Sequence, residues 1–339
     1  MINIMEVCGT HTMEIAKAGI KSLLPEDIRL VSGPGCPVCV TPPETIDACL
    51  RLSEVPGVII TSYGDMMRVP GSVRGDTLMK RKALGADVRV VYSAMDAVDI
   101  ARENPDRQVV FLGVGFETSA PGTAAAIEAA AEEGIKNFSV FSMLKMLEPS
   151  VKALAADPEF NVQAFLVPGH VAVILGEEGT KFFERDIKLP SVISGFEAGD
   201  ILRSIAMIIR QIKNGEARLE NEYTSVVRPE GNTLALKTME KVLIPRTDIW
   251  RGLGTVADSG YGIREEYKDY DAEKRFGIEI KELGIKTACR CGDVIRGKLD
   301  PKECPMFGTI CVPEDPEGPC MVSSEGACAA AYKYAGVLE

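Results

Sequence analysis

The chain has 339 residues, with 38 basic and 49 acidic side chains and a formal charge of −11. Apolar residues make up 46% and charged residues 26%, the balance of a globular protein and not of a disordered one. That length predicts two or three domains and a core that needs no disulfide staples, and the acidic balance without a basic cluster argues against a nucleic-acid binder. No apolar run is long enough to span a membrane and no signal peptide opens the sequence, so a cytoplasmic protein is expected.

A short apolar run leads into Glu6-Val7-Cys8-Gly9-Thr10-His11-Thr12, with a helix expected from near Met13. β-Branched runs then recur at Ile28–Val31, Gly57–Thr61, Val88–Tyr92, Val109–Val114, Phe138–Phe141, Ala164–Val167 and Ser191–Ser194. They are continuous and rarely alternate, as strands covered on both faces do. Helical patterns lie between them at Pro43–Leu52, Ala94–Glu103, Gly122–Glu133 and Ala198–Lys213. The last puts Ile201, Ile205, Ile208 and Ile212 on one face. This alternation predicts an α/β fold of two mostly parallel α/β domains, 1–107 and 108–214, with right-handed crossovers. The tripeptides Gly115-Phe116-Glu117 and Gly195-Phe196-Glu197 mark two strand-to-helix turns, where open α/β sheets place ligands. Tight turns that simply use glycine would look the same.

After Asn214 the rhythm fades. Gly215–Tyr223 is polar, Thr233–Val242 reads as a helix and Trp250–Gly262 is glycine-rich. Within a C-terminal region 215–339, the stretch Cys289–Cys328 holds six of the ten cysteines, and its composition cannot make a large apolar core. A bound inorganic centre is expected to organise it.

The ten cysteines are Cys8, Cys36, Cys39, Cys49, Cys289, Cys291, Cys304, Cys311, Cys320 and Cys328, and none lies between Cys49 and Cys289. Such clustering in a cytosolic chain points to metal or redox chemistry. Zinc prefers paired C-x(2–4)-C motifs, which the C-terminal group lacks. An iron–sulfur cluster needs only four thiolates that converge in space, so a [4Fe–4S] cluster is the expected cofactor. The two histidines, His11 and His170, are too few for a histidine-built site.

Gly33-Pro34-Gly35-Cys36-Pro37-Val38-Cys39 is a C-x-x-C loop between a strand and a helix. Adjacent thiols there suit reversible disulfide exchange; a soft-metal grip or a buried pair would use the same spacing. Cys49 reads as a small core residue. Cys8 and His11 share a face if both lie on a first helical turn. They suit a nucleophile with its base, a two-ligand iron site, or only a capping turn. Free N–H groups at the helix start are expected to favour the Cys8 thiolate. His170 follows a strand end, a ligand-side position that a structural hydrogen-bonder would also occupy.

At Glu6–His11, Gly33–Cys39, Gly115–Thr118, Pro168–Val171 and Met321–Cys328 the chain resembles the HypD family of hydrogenase maturation proteins, in order and over nearly its whole length. The resemblance implies two α/β domains and a C-terminal [4Fe–4S] cluster. It implies a scaffold that works with a small HypC-type chaperone, on which iron acquires two cyanides and a carbon monoxide. A HypE-type protein would deliver the cyanide as a thiocyanate, and the product would pass to a [NiFe] hydrogenase. On this resemblance Cys291, Cys304, Cys311 and Cys328 are the cluster ligands, with Cys289 and Cys320 as alternates. Cys8 would hold the transient iron with its cyanide and carbonyl ligands, and His11, Cys36, Cys39 and His170 would complete the site. An iron–sulfur thiol–disulfide oxidoreductase, similar in logic to ferredoxin:thioredoxin reductase, is the rival reading, and a metal-stabilised binding protein is a third. A standard P-loop ATPase is disfavoured, since Gly-x-x-x-x-Gly-Lys-Ser/Thr is absent from the sequence.

Overall fold

The computed structural model describes residues 1–334 except 283, 285 and 286. Its strands are β1 (Ile2–Glu6), β2 (Ile28–Ser32), β3 (Val58–Ser62), β4 (Asp87–Val90), β5 (Gln108–Gly115), β6 (Phe138–Leu144), β7 (Ala164–Pro168), β8 (Ser191–Ser194), β9 (Leu219–Asn221), β10 (Leu243–Trp250) and β11 (Gly254–Ile263). One sheet runs β2-β1-β7-β8-β9 and a second runs β4-β3-β5-β6. Every pairing in both is parallel. β3, β5, β6, β7 and β8 bury nearly every residue, which accounts for their unbroken apolar runs.

Both sheets are wound the same way. The chain starts on an inner strand, moves outward by one strand, then returns to the other side of the first. Each sheet therefore reverses direction at one point: between β1 and β7 in the first, between β3 and β5 in the second. Ligands bind at such points, beyond the carboxyl ends of the strands. The two Gly-Phe-Glu turns are not equivalent under this shared winding. The first follows β5, next to its sheet's reversal; the second follows β8, one strand further out.

The sheets interleave along the chain. The first takes β1 and β2, then resumes at β7 after the whole of the second has been built. A boundary near residue 107 therefore falls between β4 and β5, inside the second sheet. The helices Pro43–Leu52, Ala94–Glu103 and Thr233–Val242 lie where their patterns put them. Ala198–Asn214 buries Ile201, Ile205 and Ile208 against the first sheet, with Ile212 at the margin. The glycine-rich stretch after residue 250 belongs to an antiparallel hairpin, β10–β11, that the sequence pattern did not announce. Gly252 and Gly254 at its tip have φ of 84° and 73°, which a side chain would resist. No helix among the described residues is long and apolar enough to cross a membrane.

Candidate functional site

Cys8 stands just past the carboxyl end of β1 as the N-cap of the helix Gly9–Lys17, which starts a turn earlier than the expected Met13. Glu6, the last residue of β1, anchors this turn: its carboxylate accepts the backbone N–H of Cys8 at 3.1 Å and the hydroxyl of Thr12. Burial pushes the Glu6 carboxyl up to about 7, against the hydroxyls of Thr12 and Ser32.

The C-x-x-C loop leaves β2 and folds directly onto Cys8. Gly33 N–H donates to the Glu6 carbonyl at 2.7 Å, and Gly9 N–H donates to the Gly35 carbonyl at 3.2 Å. Cys36 and Cys39 are joined as a disulfide, their Cα atoms 5.2 Å apart. Cys49 is fully buried, its thiol 3.7 Å from the Met143 sulfur, as a core residue.

A third segment closes over both loops. Thr10 donates to Glu325 at 2.9 Å, and a Cβ on Gly9 would collide with the Glu325 side chain. The Ser323 hydroxyl lies 3.4 Å from Cys36 Sγ and donates to Asp65 at 3.1 Å. Asp65 follows β3, so the second sheet's reversal point reaches the same place.

Burial works against the thiolate expected at Cys8. Burial pushes its thiol up to about 12, and the carboxylates of Glu325 and Glu6 add to that push. The N–H groups of His11 and Thr10 do oppose it, as expected, but desolvation outweighs them.

His11 points away from solvent, its Nε2 2.9 Å from the Gly195 carbonyl. A carbonyl only accepts, so Nε2 carries the proton and Nδ1 keeps its lone pair. Nδ1 is buried and has no partner among the described residues. Burial lowers the imidazole to about 4, so it is neutral at physiological pH. Phe196 lies between the two histidines: its ring stacks on His11 at 4.6 Å and on His170 at 3.8 Å. The second Gly-Phe-Glu turn thus positions both imidazoles. In the first, Phe116 packs near Trp250 while the buried Glu117 accepts the Leu147 N–H at 2.8 Å.

The C-terminal thiols gather in one place. Cys289, Cys291, Cys304, Cys311 and Cys328 line a single small cavity together with Met306, Phe307 and Met321. Cys320 lies behind it, its thiol against those of Cys291 and Cys328. A Cβ on Gly318 would lie 2.3 Å from Cys289 Sγ and 3.6 Å from Cys291 Sγ, so glycine opens the wall there. Thiols donated by Cys289 and Cys320 hold Cys291 below its usual range and themselves rise. Among the described residues no three Cys, His, Asp or Glu side chains converge on one point as ligands of a single ion would.

The hairpin tip joins this cavity to the C-x-x-C loop. Arg251 N–H donates to the Val40 carbonyl at 2.8 Å and its side chain to the Thr41 carbonyl at 3.0 Å. The same guanidinium faces the Cys291 thiol and helps hold it low. Arg251 and Asp65 carry no motif of their own and were not anticipated as site residues, whereas Glu6 opens the Glu6–His11 string. Ser323 and Glu325 sit inside the Met321–Cys328 string, which was the available signal.

Residues 1–335 match the family model described as the hydrogenase formation hypA family, HypD. The hydrogenase maturation factor HypD of Rhodobacter capsulatus is 44% identical, over 99% of this chain and 90% of its own. Those of Escherichia coli K12 and Azotobacter vinelandii are each 43% identical, over 98% of this chain and 89% of theirs.

Proposed function

The chain belongs to the HypD family of hydrogenase maturation factors, and on that premise we propose that it is the cytoplasmic, redox-active scaffold on which the iron of a [NiFe] hydrogenase acquires its cyanide and carbonyl ligands. The iron is cargo. Cys8 holds it, and a small HypC-type chaperone offers a second ligand across the interface. A HypE-type protein brings cyanide as a thiocyanate. Breaking its C–S bond sends cyanide to the iron and leaves a thiol, which consumes two electrons and a proton. The Cys36/Cys39 dithiol supplies both electrons and closes to a disulfide.

The observation that carries this reading is the contact between the two thiol loops. Gly35 lies against the Cys8 backbone, so the iron-holding thiol and the redox pair share one wall. His11, on the first turn after Cys8, is held against the Gly195 carbonyl and the Phe196 ring with an unpartnered Nδ1 lone pair. His170 stands at the open edge of the same stack.

The C-terminal cavity fits a [4Fe–4S] cluster by the five cysteines in its lining, which Arg290 and Glu317 share with apolar side chains, and by the room Gly318 leaves. We assign Cys291, Cys304, Cys311 and Cys328 as ligands, with Cys289 and Cys320 as alternates. When bound, the cluster supplies single electrons. Arg251 orients Cys291 and anchors the turn after Cys39 through one guanidinium.

An infrared spectrum of the chain co-purified with its small partner tests the proposal. Cyanide and carbonyl stretches are expected. Their absence from an active complex would favour the rival reading, a thiol–disulfide oxidoreductase, for which the disulfide between Cys36 and Cys39 speaks.

A further inference from the structure

We propose that Ser323 and Asp65 form a proton path to Cys36 and make it the reactive thiol of the Cys36–Cys39 pair, an inference that rests on the redox reading of that pair. Closing a disulfide releases protons, and opening one takes them up. Cys36 is 5% exposed and Cys39 1%, so water does not reach either freely.

One chain of polar atoms leads out. Ser323 Oγ is 3.4 Å from Cys36 Sγ, and Ser323 is itself buried. Its hydroxyl donates to Asp65 Oδ2 at 3.1 Å. Asp65 is half-buried and lines a surface cleft that Arg68 and Lys333 share. The direction of the bonds suits transfer: the serine oxygen accepts from the thiol of the reduced state while its proton points at the carboxylate. Asp65 is held in place independently, because Oδ2 also accepts the Ser324 N–H and hydroxyl, each at 2.9 Å. The Cys39 N–H donates to Cys36 Sγ at 3.2 Å and stabilises negative charge on that sulfur. Charged groups facing Asp65 are Glu325, which repels it, and the cations Arg68 and Lys333 across the cleft.

The step balances with an aliphatic disulfide as oxidant. Cys36 loses its proton to the Ser323 oxygen as the Ser323 proton moves to Asp65. The thiolate attacks one sulfur of the oxidant, forming a mixed disulfide and releasing a thiolate. Cys39 then attacks Cys36 Sγ, releasing the second. Two protein thiols are oxidised, one small disulfide is reduced to two thiols, and both protons end on the products. Reduction runs the same path backwards.

Alkylation of the reduced, full-length protein with iodoacetamide tests this, with Cys36 modification followed by peptide mass spectrometry from pH 6 to 9. Ser323→Ala and Asp65→Asn are each expected to slow Cys36 alkylation at pH 7 about a hundredfold, the lower end of the range for a positioned proton acceptor. The midpoint of the pH–rate curve should move upward in both. Ser323→Thr should restore the wild-type rate, and the Ser323→Ala/Asp65→Asn double variant should be no slower than either alone. Ser324→Ala removes a different donor to Asp65 and should change nothing. Unmoved midpoints in Ser323→Ala and Asp65→Asn overturn the path. So does a Ser324→Ala loss equal to that of Asp65→Asn, which would trace the effect to loop anchoring. Because the readout is thiol reactivity in the reduced protein, it is independent of whether the pair cycles during maturation. A pair that never changes state in the working complex would instead remove the redox reading itself.

Discussion

A Cβ on Gly35 would lie 2.2 Å from the backbone nitrogen of Cys8, so the C-x-x-C loop and the Cys8 turn are in backbone contact. Nothing in the φ angle of Gly35 demands glycine; the demand is steric. Gly35→Ala must push the two loops apart, at about 1–3 kcal/mol, the usual cost of overpacking. The variant is expected to fold with a lowered Tm and its full complement of thiols. Iron–cyanide bands in the complex with the partner should be lost. Wild-type bands in a folded Gly35→Ala protein would show that the contact does not matter to assembly.

Phe196 holds two imidazoles at once, and only one of them is enclosed. Replacing it with leucine removes both stacks, at about 0.5–1.5 kcal/mol for each aromatic pair. The sharper readout is nitrogen NMR of the histidines. In the wild type His11 should remain neutral with its proton on Nε2 from pH 5 to 8, because burial has lowered it to about 4. In Phe196→Leu the His11 titration should move up into that window. An unchanged His11 in the variant would assign its environment to the Gly195 carbonyl and the core alone.

Glu117 gives a pH dependence with a definite sign. Burial raises its carboxyl from 4.5 to about 7. The folded state therefore holds a proton that the unfolded state has lost. Its contribution is fully present below pH 4.5 and disappears as pH rises through 7, amounting to about 3 kcal/mol at most at 1.36 kcal/mol per unit. Glu117→Gln keeps the acceptor for Leu147 N–H and cannot ionise. Denaturant melts at pH 5 and pH 8 should show a smaller loss of stability on going to high pH in the variant than in the wild type. Equal losses in both would mean that Glu117 does not titrate in this range.

Local features were readable from the sequence, and long-range ones were not. The helices Pro43–Leu52, Ala94–Glu103 and Ala198–Asn214 declare themselves through spacing and first-turn residues that act within a few positions. The pairing of Ile4 with Ala164 joins strands that no local pattern connects, so the interleaving of the two sheets stayed hidden. β10 mixes a buried Trp250 with the exposed Ile244 and the charged pair Arg246 and Asp248, which breaks the strand signal. Its reason is tertiary: Asp248 meets the buried Lys145 at 2.8 Å, and Lys145 also reaches the Ile249 carbonyl. Cys8, Cys36 and the C-terminal thiols stood out because cysteine is scarce elsewhere. Asp65 and Arg251 are ordinary loop charges whose roles exist only once the loops have met.

The C-terminal thiols should hold iron and sulfide. Anaerobically purified protein is expected to contain about four of each per chain, as a [4Fe–4S] cluster requires. Cys320→Ser should keep the cluster, because Cys320 stands behind the cavity and touches Cys291 and Cys328 without lining it. Cys304→Ser and Cys311→Ser should each lose it. One zinc with no labile sulfide would sink the assignment, and cluster loss in Cys320→Ser would overturn the choice of ligands.

Cys8 is the residue on which the scaffold reading depends most, and its surroundings set how it takes iron. The thiol is buried and pushed up to about 12, so at neutral pH it carries a proton until a metal arrives. Metal binding must then displace that proton, and iron capture should become more favourable as pH rises. Titrating ferrous iron into the anaerobic complex with the partner, in weak buffer, should release about one more proton per iron for the wild type than for Cys8→Ala. Cys8→Ala should keep its fold, since the thiol is a small group whose anchoring N–H bond to Glu6 belongs to the backbone. It should also keep the iron and sulfide of the C-terminal cavity, to whose lining Cys8 does not contribute. Cyanide and carbonyl bands should nevertheless vanish from its complex. If the bands persist in Cys8→Ala, the iron is held elsewhere. If the C-terminal iron is lost along with them, the two metal functions are not separable, and a single site spanning the Glu325 and Cys36 contacts must be considered in their place.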